Sequence, residues 1–578
     1  MNYYSDAVMD IARRFLNSNA LRPVFSDLEK QTLTPFFTNN RSRVFFVHTL
    51  PEAVVDVLMS MYSRMKNPRG IRGVFVDSFL PLFLASTLKE TGRRFEGSPE
   101  KYLAHYKVTS LEKFVAGSKE ARQALSTFLD SIHVDPKYIM KLSAAPRVKK
   151  FLSLYLDKYG HNSIARMAKL SLCLENISIL AAKSLEWTRP GTGYIELSTR
   201  FVDMSMKSLY PIWKILAEYG VSEKVARGVV EGKFKLYQHF LGENFNGLFP
   251  SFLRERYRPY FPDERDLETG VIGESCDVLG NFLPCATLTS VGVAMSGEAY
   301  PEVLKHLVLD NTPENLILVE MILEEAKKIG GDQFSRHYEP TEWKKEFWKY
   351  LLTEKFYPNW GLRVPGVYYR KGGLVSNREA EIILVSSFCL QNDNLGSFSE
   401  VLDYLRKIPR GEYDKLPNHF EVISGSFNGV MSFRGWRDLQ RQQLCTHYRT
   451  RIDPRLGFYL YDKPAPENFF QACRVVEVES CDLYDQMRSN GVPSELMEYP
   501  MPLGNLVGFQ IGANLTEMEF CTWQRSKYGV NHEVRQIFLG IERELRGEYP
   551  WWKELSRADM TPAYIFARTK EGVPLPKN

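Results

Sequence analysis

The segment from Tyr194 to Phe201 gathers side chains that can bind a phosphate group. Its sequence Y-I-E-L-S-T-R-F follows the glycine-rich turn R-P-G-T-G. A guanidinium forms charge-assisted, often bidentate hydrogen bonds with phosphate oxygens, and hydroxyl groups can add further ones. We therefore expect an anion site here, although solvated loops and helix caps often have the same composition. The residues concerned are Glu196, Ser198, Thr199 and Arg200.

A second cluster of positive charge lies between Arg434 and Thr446. Arg434, Arg437 and Arg441 are spaced i, i+3 and i+7, so they share one face if the segment is helical. Such a face is either an exposed basic surface paired with acidic side chains or an anion site for a flavin or nucleotide phosphate. The sequence leaves both interpretations open.

The C-terminal part contains two helix starts and a single arginine of interest. Asn514 followed by Glu517 is the pattern of an N-cap with a reciprocal acid. Arg525 lies about three turns after this cap, near the helix face of Met518 and Cys521. Asn531 predicts a further helix. Its buried stripe is expected to contain Val534, Ile537, Phe538, Ile541 and Leu545.

Composition and charge exclude several classes of protein. The 74 basic and 69 acidic residues are interspersed and leave a net charge of only +5, which is too weak a field for a duplex nucleic-acid partner. No basic flank with an apolar run opens the chain, and no window is apolar enough to indicate a membrane span. We expect a cytoplasmic protein with no nucleic-acid or membrane partner.

The cysteines and histidines show no local pattern of a metal site. None of the eight cysteines forms a C-x-x-C pair, and the ten histidines form no H-E-x-x-H motif. The sequence therefore predicts reduced, mostly buried thiols and no metal.

A repeated order of segments indicates an internal duplication. Residues 150–325 and 415–550 each contain a buried segment, a polar signature stretch, a Leu-Pro or Met-Pro turn and a final pair of helices. The polar stretch from Gly330 to Lys355 is the candidate connection, so we expect domains at 1–335 and 336–578. Near the N-terminus, Arg43 to His48 is strand-like and precedes a helix whose one apolar face is formed by Val54, Val55, Val57, Leu58 and Met61. The apolar run from Ser163 to Trp187 predicts one or two buried helices.

Together these segments resemble the flavin-dependent thymidylate synthases. The first copy contains Y-G-H-N-S-I-A at 159–165 and E-L-S-T-R-F at 196–201. The second has Arg441, Gln443 and Thr446 at positions of the family's R-H-R-x-x-S motif, and a block from Asn514 to a Pro-Trp pair at 550–551. The resemblance implies an α+β fold of two such domains, each with a helix bundle packed on a mixed or antiparallel sheet.

The resemblance also implies roles for individual residues. Arg525 would contact the uracil ring and act in catalysis together with Ser198. The substrate would be held by Glu196, Ser198, Thr199, Arg200 and Arg441. The cofactor would be held by His161, Ser163, Arg437, Arg441 and Asn514.

The chemistry implied by the resemblance is reductive methylation. NADPH would reduce FAD, methylenetetrahydrofolate would supply the carbon, and dUMP would be methylated at C5 without a cysteine nucleophile. The first copy keeps the phosphate loop and the second keeps the arginines, which suggests composite sites in a homodimer that forms a pseudo-tetramer. Two alternatives stay open: methylation or hydroxymethylation of another pyrimidine nucleotide, and a non-catalytic paralogue that binds nucleotide or flavin.

Overall fold

A computed structural model gives the structure of the chain, and its described part forms two compact units. The first contains Met1–Glu218 and Ala286–Thr341; the second contains Tyr219–Cys285 and Glu342–Asn578. The residues that the structure describes are 4–18, 21–50, 52–64, 67–88, 103–105, 107–131, 162–187, 190–199, 202–204, 208–352, 366–369, 374–389, 396–561 and 565–566.

The unit boundaries differ in one segment from domains that are contiguous in sequence. The first unit ends at Thr341, inside the polar stretch from Gly330 to Lys355. Residues 219–285, which precede the Ala286–Thr341 part of the first unit, belong to the second. The predicted domain bounds, 1–335 and 336–578, instead place residues 219–285 in the first domain.

The first unit is built on a four-stranded antiparallel sheet with the order β1-β2-β4-β3. Its central strands, β2 and β4, are buried over most of their length. The strands are β1 Val44–Val47, β2 Lys169–Ser178, β3 Thr192–Glu196 and β4 Leu288–Ser296.

Helices surround this sheet. Many begin at a serine, threonine or proline, as Ser5, Ser26 and Thr312 show by accepting backbone hydrogen bonds at their helix starts. The helices are Asp6–Asn17, Asp27–Leu33, Glu52–Ser60, Gly70–Val74, Leu80–Thr87, Leu111–Gly117, Lys119–Ser131, Asn162–Ala165, Ile179–Leu185, Ile212–Ala217, Tyr300–Asp310 and Pro313–Lys327.

The second unit repeats the same sheet, with the order β5-β6-β8-β7. Its strands are β5 Gly366–Tyr369, β6 Ser424–Ser432, β7 Thr446–Arg449 and β8 Leu506–Asn514. Its helices are Glu223–Leu241, Leu248–Tyr257, Glu264–Leu279, Glu342–Leu351, Asn377–Cys389, Phe398–Lys407, Phe433–Gln440, Phe469–Ser489, Ser494–Met497, Leu515–Arg525, His532–Glu548 and Trp552–Leu555. The α+β class is confirmed, and both sheets are antiparallel.

The two proline turns found in the sequence pair with each other inside the second unit. Pro284 and Pro502 form an antiparallel bridge. Cys285 N donates to Met501 O at 2.8 Å, and Leu503 N donates to Leu283 O at 2.8 Å. Each turn therefore supplies both a donor and an acceptor to the other.

A buried serine–glutamate pair follows the second strand of each sheet. Ser178 ends β2 and caps the next helix, and its N and Oγ donate to Glu314 at 2.9 and 2.6 Å. Ser432 ends β6 in the same way, with its N donating to Glu533 at 2.7 Å and its Oγ also donating to that carboxylate. At Gly435 a Cβ would lie only 2.7 Å from Glu533 Oε2, so the glycine leaves room for this carboxylate. The two copies therefore share topology and a buried polar anchor.

The prediction of helices throughout 163–187 was wrong in its middle part. Residues 169–178 form β2, which pairs with β1 on one side and β4 on the other, and the helix covers only Ile179–Leu185. Leucine alternates with other residues over 169–175, K-L-S-L-C-L-E, and this strand pattern was overlooked in favour of the approximate helical spacing of the whole run. By contrast, the strand at 44–47 and the helix Glu52–Ser60 that follows it were predicted correctly. Of the expected apolar face, Val55 and Leu58 are buried, but Val57 and Met61 are 45% and 36% exposed.

Within the described part of the chain, one helical stretch reaches the length and hydropathy of a membrane span. It covers Gly70–Thr87, with a mean hydropathy of 1.2 and 56% of its residues buried within the protein. It includes Arg72, which is fully buried and donates to Glu175 Oε2 at 3.1 Å. Burial and internal ion pairing favour a core segment of the first unit.

Candidate functional site

The helix Leu515–Arg525 positions the arginine singled out by the sequence. Asn514 caps it, with its side-chain oxygen accepting from Glu517 N at 2.8 Å, as predicted. The reciprocal hydrogen bond, in which the Glu517 carboxylate would accept from the backbone N of Asn514, is not observed, because that carboxylate forms an ion pair with Lys415. Leu515, Met518 and Cys521 are buried on this helix and fix its rotation, while Arg525 at its end is half-buried.

Arg525 contacts the stretch that follows the arginine-rich helix. With the Gln442 amide oriented to satisfy both groups, its oxygen accepts from Arg525 Nε at 2.7 Å and from Nη2 at 2.5 Å. Gln442 is itself buried. This pair of bonds fixes the plane of the guanidinium. The two signature segments of the second copy, distant in sequence, therefore meet at Arg525 and Gln442.

The three arginines at 434, 437 and 441 do not form one surface. They lie on or next to the helix Phe433–Gln440, whose residues are all buried. Arg434 donates to Asp277 at 3.0 Å, and Arg437 is only 3% exposed. Arg441 follows the helix with a 49% exposed side chain, 3.2 Å from Asp438. The segment is helical, and of the two interpretations left open the exposed basic face is wrong, because every residue of the helix Phe433–Gln440 is buried.

In the first unit, Glu196 lies at the end of β3 with its carboxylate buried. Lys183 Nζ is 2.9 Å from Glu196 Oε2 and 2.5 Å from Glu186 Oε2, and all three side chains are at most 4% exposed. Glu196 is therefore a buried partner of a lysine. A carboxylate so placed adds negative charge and cannot donate to phosphate, so the donors of the anion site expected here would be its hydroxyls and Arg200.

The other predicted residues of this loop are differently placed. Ser198 is half-buried and Thr199 is buried beside it. Ser163 is exposed in the short helix Asn162–Ala165. Arg200 and His161 lie outside the described residues.

The second unit reverses the charges at the position of Glu196. Ser178 pairs with Leu288 and Ser432 pairs with Leu506, so these positions correspond in the two sheets. In the same register Glu196 is opposite Val291 and Arg449 is opposite Phe509. Glu196 and Arg449 are therefore equivalent.

Arg449 is neutralised by a buried carboxylate that sequence reasoning missed. Glu498 accepts from Arg449 Nη1 and Arg451 Nη1 at 2.6 Å each, and from Ile452 N at 2.9 Å. Burial alone would raise the pKa of the Glu498 carboxyl, but the two guanidinium groups hold that pKa below its ordinary value. No local signal in the sequence links Glu498 to β7.

A cleft of about 980 Å³ opens elsewhere in the first unit. Its lining includes Arg22, Lys30, Arg41 and Lys328, opposed by Glu324 and Glu325. None of the described signature residues lines it. The mixture of charges gives this cleft no clear preference for an anion.

Comparison with known proteins agrees with the resemblance seen in the sequence. Residues 113–329 match the sequence model of the family described as thymidylate synthase complementing protein. This stretch lies within the first copy, where the match agrees with the resemblance seen in the sequence.

Similar proteins extend over both copies. A UPF0159 protein of Chlamydia muridarum is 23% identical over 92% of this chain and 94% of its own length. A UPF0159 protein of Thermoplasma acidophilum is 22% identical over 70% of this chain and 87% of its own length. A solved structure, the UMP/dUMP methylase PolB of Streptomyces cacaoi bound with 5-Br UMP, is 13% identical. It covers 34% of this chain and 99% of its own, with a TM-score of 0.26.

Proposed function

We propose that this protein methylates a pyrimidine nucleotide at ring carbon C5, with dUMP as substrate and dTMP as product. Support comes from the match of residues 113–329 to the thymidylate synthase complementing family. The observation that carries the proposal is the meeting of Arg525 with Gln442 in the second unit. It joins the only two signature segments that this copy shares with the flavin-dependent enzymes.

The role proposed for Arg525 is electrostatic. When C5 of a uracil becomes nucleophilic, negative charge builds on a ring oxygen, and a fixed cation beside that oxygen lowers the barrier. A guanidinium has five N–H donors in one plane, and Gln442 engages two of its nitrogen atoms. Gln442 thereby holds the remaining edge of the group in one orientation towards the ring oxygen.

The expected flavin contacts fit the described residues poorly. Arg437 is buried within its helix, and the Asn514 oxygen is occupied in capping. Arg441 is accessible, but it follows a helix C-terminus, where the helix dipole disfavours anions. FAD, NADPH and methylenetetrahydrofolate stay parts of the proposal that solution measurements must test.

The experiment is a single-turnover assay of the purified full-length chain with dUMP, methylenetetrahydrofolate, NADPH and FAD, with mass detection of the product. The absorbance spectrum of the protein before addition of FAD tests for bound flavin. Arg525→Lys should lower the rate on the order of 10²-fold while the protein stays folded, because an ammonium cannot replace the planar fork.

The matched control is Arg546→Lys, which alters a partly buried arginine paired with Glu542 at 2.8 Å in the next helix. This variant should keep its rate. A wild-type rate for Arg525→Lys would assign Arg525 to structure, and absence of any methylated product from the wild type would refute the enzymatic proposal. A product other than dTMP, or turnover of another pyrimidine nucleotide, would contradict dUMP methylation and support a different pyrimidine reaction.

A non-catalytic nucleotide-binding role is the second candidate. It is favoured by the internal ion pairs of Glu196 and of Arg449, which satisfy charged groups at the signature positions without a ligand. Calorimetric binding of dUMP without any turnover would support this role.

We further propose the homodimer that the family resemblance implies. Light scattering of the full chain at several concentrations should give twice the monomer mass of 66.8 kDa. A monomer that turns over dUMP would contradict it.

A further inference from the structure

Two buried thiols and a carboxylate converge beside Arg525 in the second unit. Cys445 and Cys521 are fully buried, and their Sγ atoms lie 3.7 Å apart. Glu517 Oε1 is 3.6 Å from Cys521 Sγ, and ligand atoms of all three residues lie within 4.8 Å of one another. Two thiols and a carboxylate are thus gathered in the interior near Lys415 and Arg525, and a metal ion there would stabilise the anionic forms of both thiols.

Two of the three separations match those around a tetrahedral zinc ion, and the third, between Cys445 and Glu517, is within 4.8 Å. With Zn–S bonds of about 2.3 Å, two thiolates at the tetrahedral angle lie about 3.8 Å apart. A carboxylate oxygen at about 2.0–2.2 Å from the metal lies about 3.5–3.7 Å from each sulfur. Both observed distances that join Cys521 to its neighbours agree with this geometry within about 0.2 Å, the tolerance expected for such a site.

The chain holds these groups from two rigid elements. Glu517 and Cys521 are one turn apart on the helix Leu515–Arg525, so both face the same side. Cys445 lies in the turn after the arginine-rich helix, where its N donates to Gln442 O at 2.9 Å. The site therefore needs no rearrangement of the backbone to form.

Neighbouring groups orient two of the three side chains, Glu517 and Cys521, as outer-shell partners do in metal sites. Lys415 pairs with Glu517 Oε2 and leaves Oε1 turned towards the thiols. With the Gln442 oxygen on Arg525, its amide nitrogen lies 3.3 Å from Cys521 Sγ and can donate to a thiolate.

We propose that Cys445, Cys521 and Glu517 bind a thiophilic divalent cation, zinc by preference. Two sulfurs and one oxygen favour zinc over magnesium or calcium, which prefer oxygen ligands. Three protein ligands leave a fourth position for water or an exogenous group. Binding releases protons from the two thiols, and the metal takes their electron pairs. The site does not depend on the methylation proposed above.

The test begins with metal analysis of the full-length chain, purified with a reducing agent and without chelators. About one zinc per chain is expected. Cys445→Ala and Cys521→Ala should reduce the zinc content to background, and Glu517→Gln should weaken binding on the order of tenfold or more. Cys285→Ala removes another fully buried thiol of the same unit and should leave the zinc content unchanged.

A second measurement needs no variant and so avoids misfolding as an explanation. Cd²⁺ added to chelator-treated wild-type protein should give an ultraviolet thiolate-to-metal absorption band that saturates at one ion per chain. A wild-type protein that contains no zinc and shows no band would overturn the proposal. Zinc that survives both cysteine changes, or a Cys445–Cys521 disulfide in protein purified without reductant, would overturn it equally.

Discussion

The two copies place opposite charges at equivalent positions of their two corresponding sheets. In the first, one lysine, Lys183, lies between the carboxylates of Glu186 and Glu196. In the second, one carboxylate, Glu498, lies between Arg449 and Arg451. Glu196 and Arg449 occupy equivalent register positions, so the duplicated scaffold has kept its geometry while its charges have been exchanged.

What has not changed is the buried serine–glutamate pair. Ser178 with Glu314 and Ser432 with Glu533 join the second strand and the last long helix of each copy in the same way. Each carboxylate accepts hydrogen bonds from the backbone N and the Oγ of the serine at a helix start, where backbone N–H groups have no partner within the helix. Divergence therefore affected the ends of β3 and β7, and the anchor stayed the same.

The largest expected difference between the copies comes from removing one carboxylate from each buried group of three charges. Glu498→Ala leaves two arginines without their shared partner and should destabilise the protein by about 3–5 kcal/mol. Glu196→Ala leaves Lys183 still paired with Glu186, so the loss should be smaller, about 1–3 kcal/mol. Urea unfolding of both variants measures the difference. Equal losses would show that the reversed charges have no energetic consequence.

The serine–glutamate anchors should instead behave alike. Glu314→Gln and Glu533→Gln each keep one acceptor oxygen and place an amide N–H₂ against a buried donor. Each change should cost about 1–3 kcal/mol. Urea unfolding should give losses that agree within about 1 kcal/mol. A strong effect in one copy and none in the other would mean that only one anchor contributes to stability.

Local patterns predicted local structure well. The Asn531 cap was correct, and the five apolar residues after it are all buried, because capping and helical period depend only on neighbours in sequence. Burial of Arg437 was missed because it depends on chain segments that pack around the helix from far away. The thiol cluster was missed for the same reason, since Cys445 and Cys521 are 76 residues apart and no short spacing connects them.

Two buried lysines extend the comparison to pH. Lys183 in the first unit has two carboxylates beside it, whereas Lys233 in the second donates to the Pro500 carbonyl at 3.1 Å. Burial lowers the pKa of Lys233 from 10.5 to about 7, although Glu479 opposes the shift. The folded state thus releases a proton that the unfolded state still holds, so stability should rise as pH increases from about 7 to 10.5.

Lys233→Met removes this titration and measures its contribution. The variant should be more stable than the wild type near pH 7 by roughly 1–2 kcal/mol, and the gain should shrink towards pH 10.5. Urea unfolding at several pH values tests the trend. A stability difference that is independent of pH would show that Lys233 does not titrate in this way.

The smallest effect on stability is expected at Arg441, the accessible member of the arginine cluster. Its side chain is 49% exposed, so solvent screens its 3.2 Å pair with the buried Asp438, and the pair should contribute about 1 kcal/mol or less. Arg441→Ala should therefore barely change the unfolding midpoint.

Binding gives the sharper measurement, because Arg434 and Arg437 are enclosed and Arg441 alone of the three offers an accessible guanidinium. If it holds a phosphate, calorimetry should show dUMP or FAD affinity reduced by about 1.5–3 kcal/mol, the value of a charged hydrogen bond. Arg227→Ala, which breaks the surface pair of Arg227 and Glu231 in the same unit, should change neither quantity. Unchanged affinity for both ligands in the Arg441 variant would leave the second copy without an anion contact at its arginine-rich helix, and any phosphate would then have to be held by the hydroxyls and Arg200 of the first.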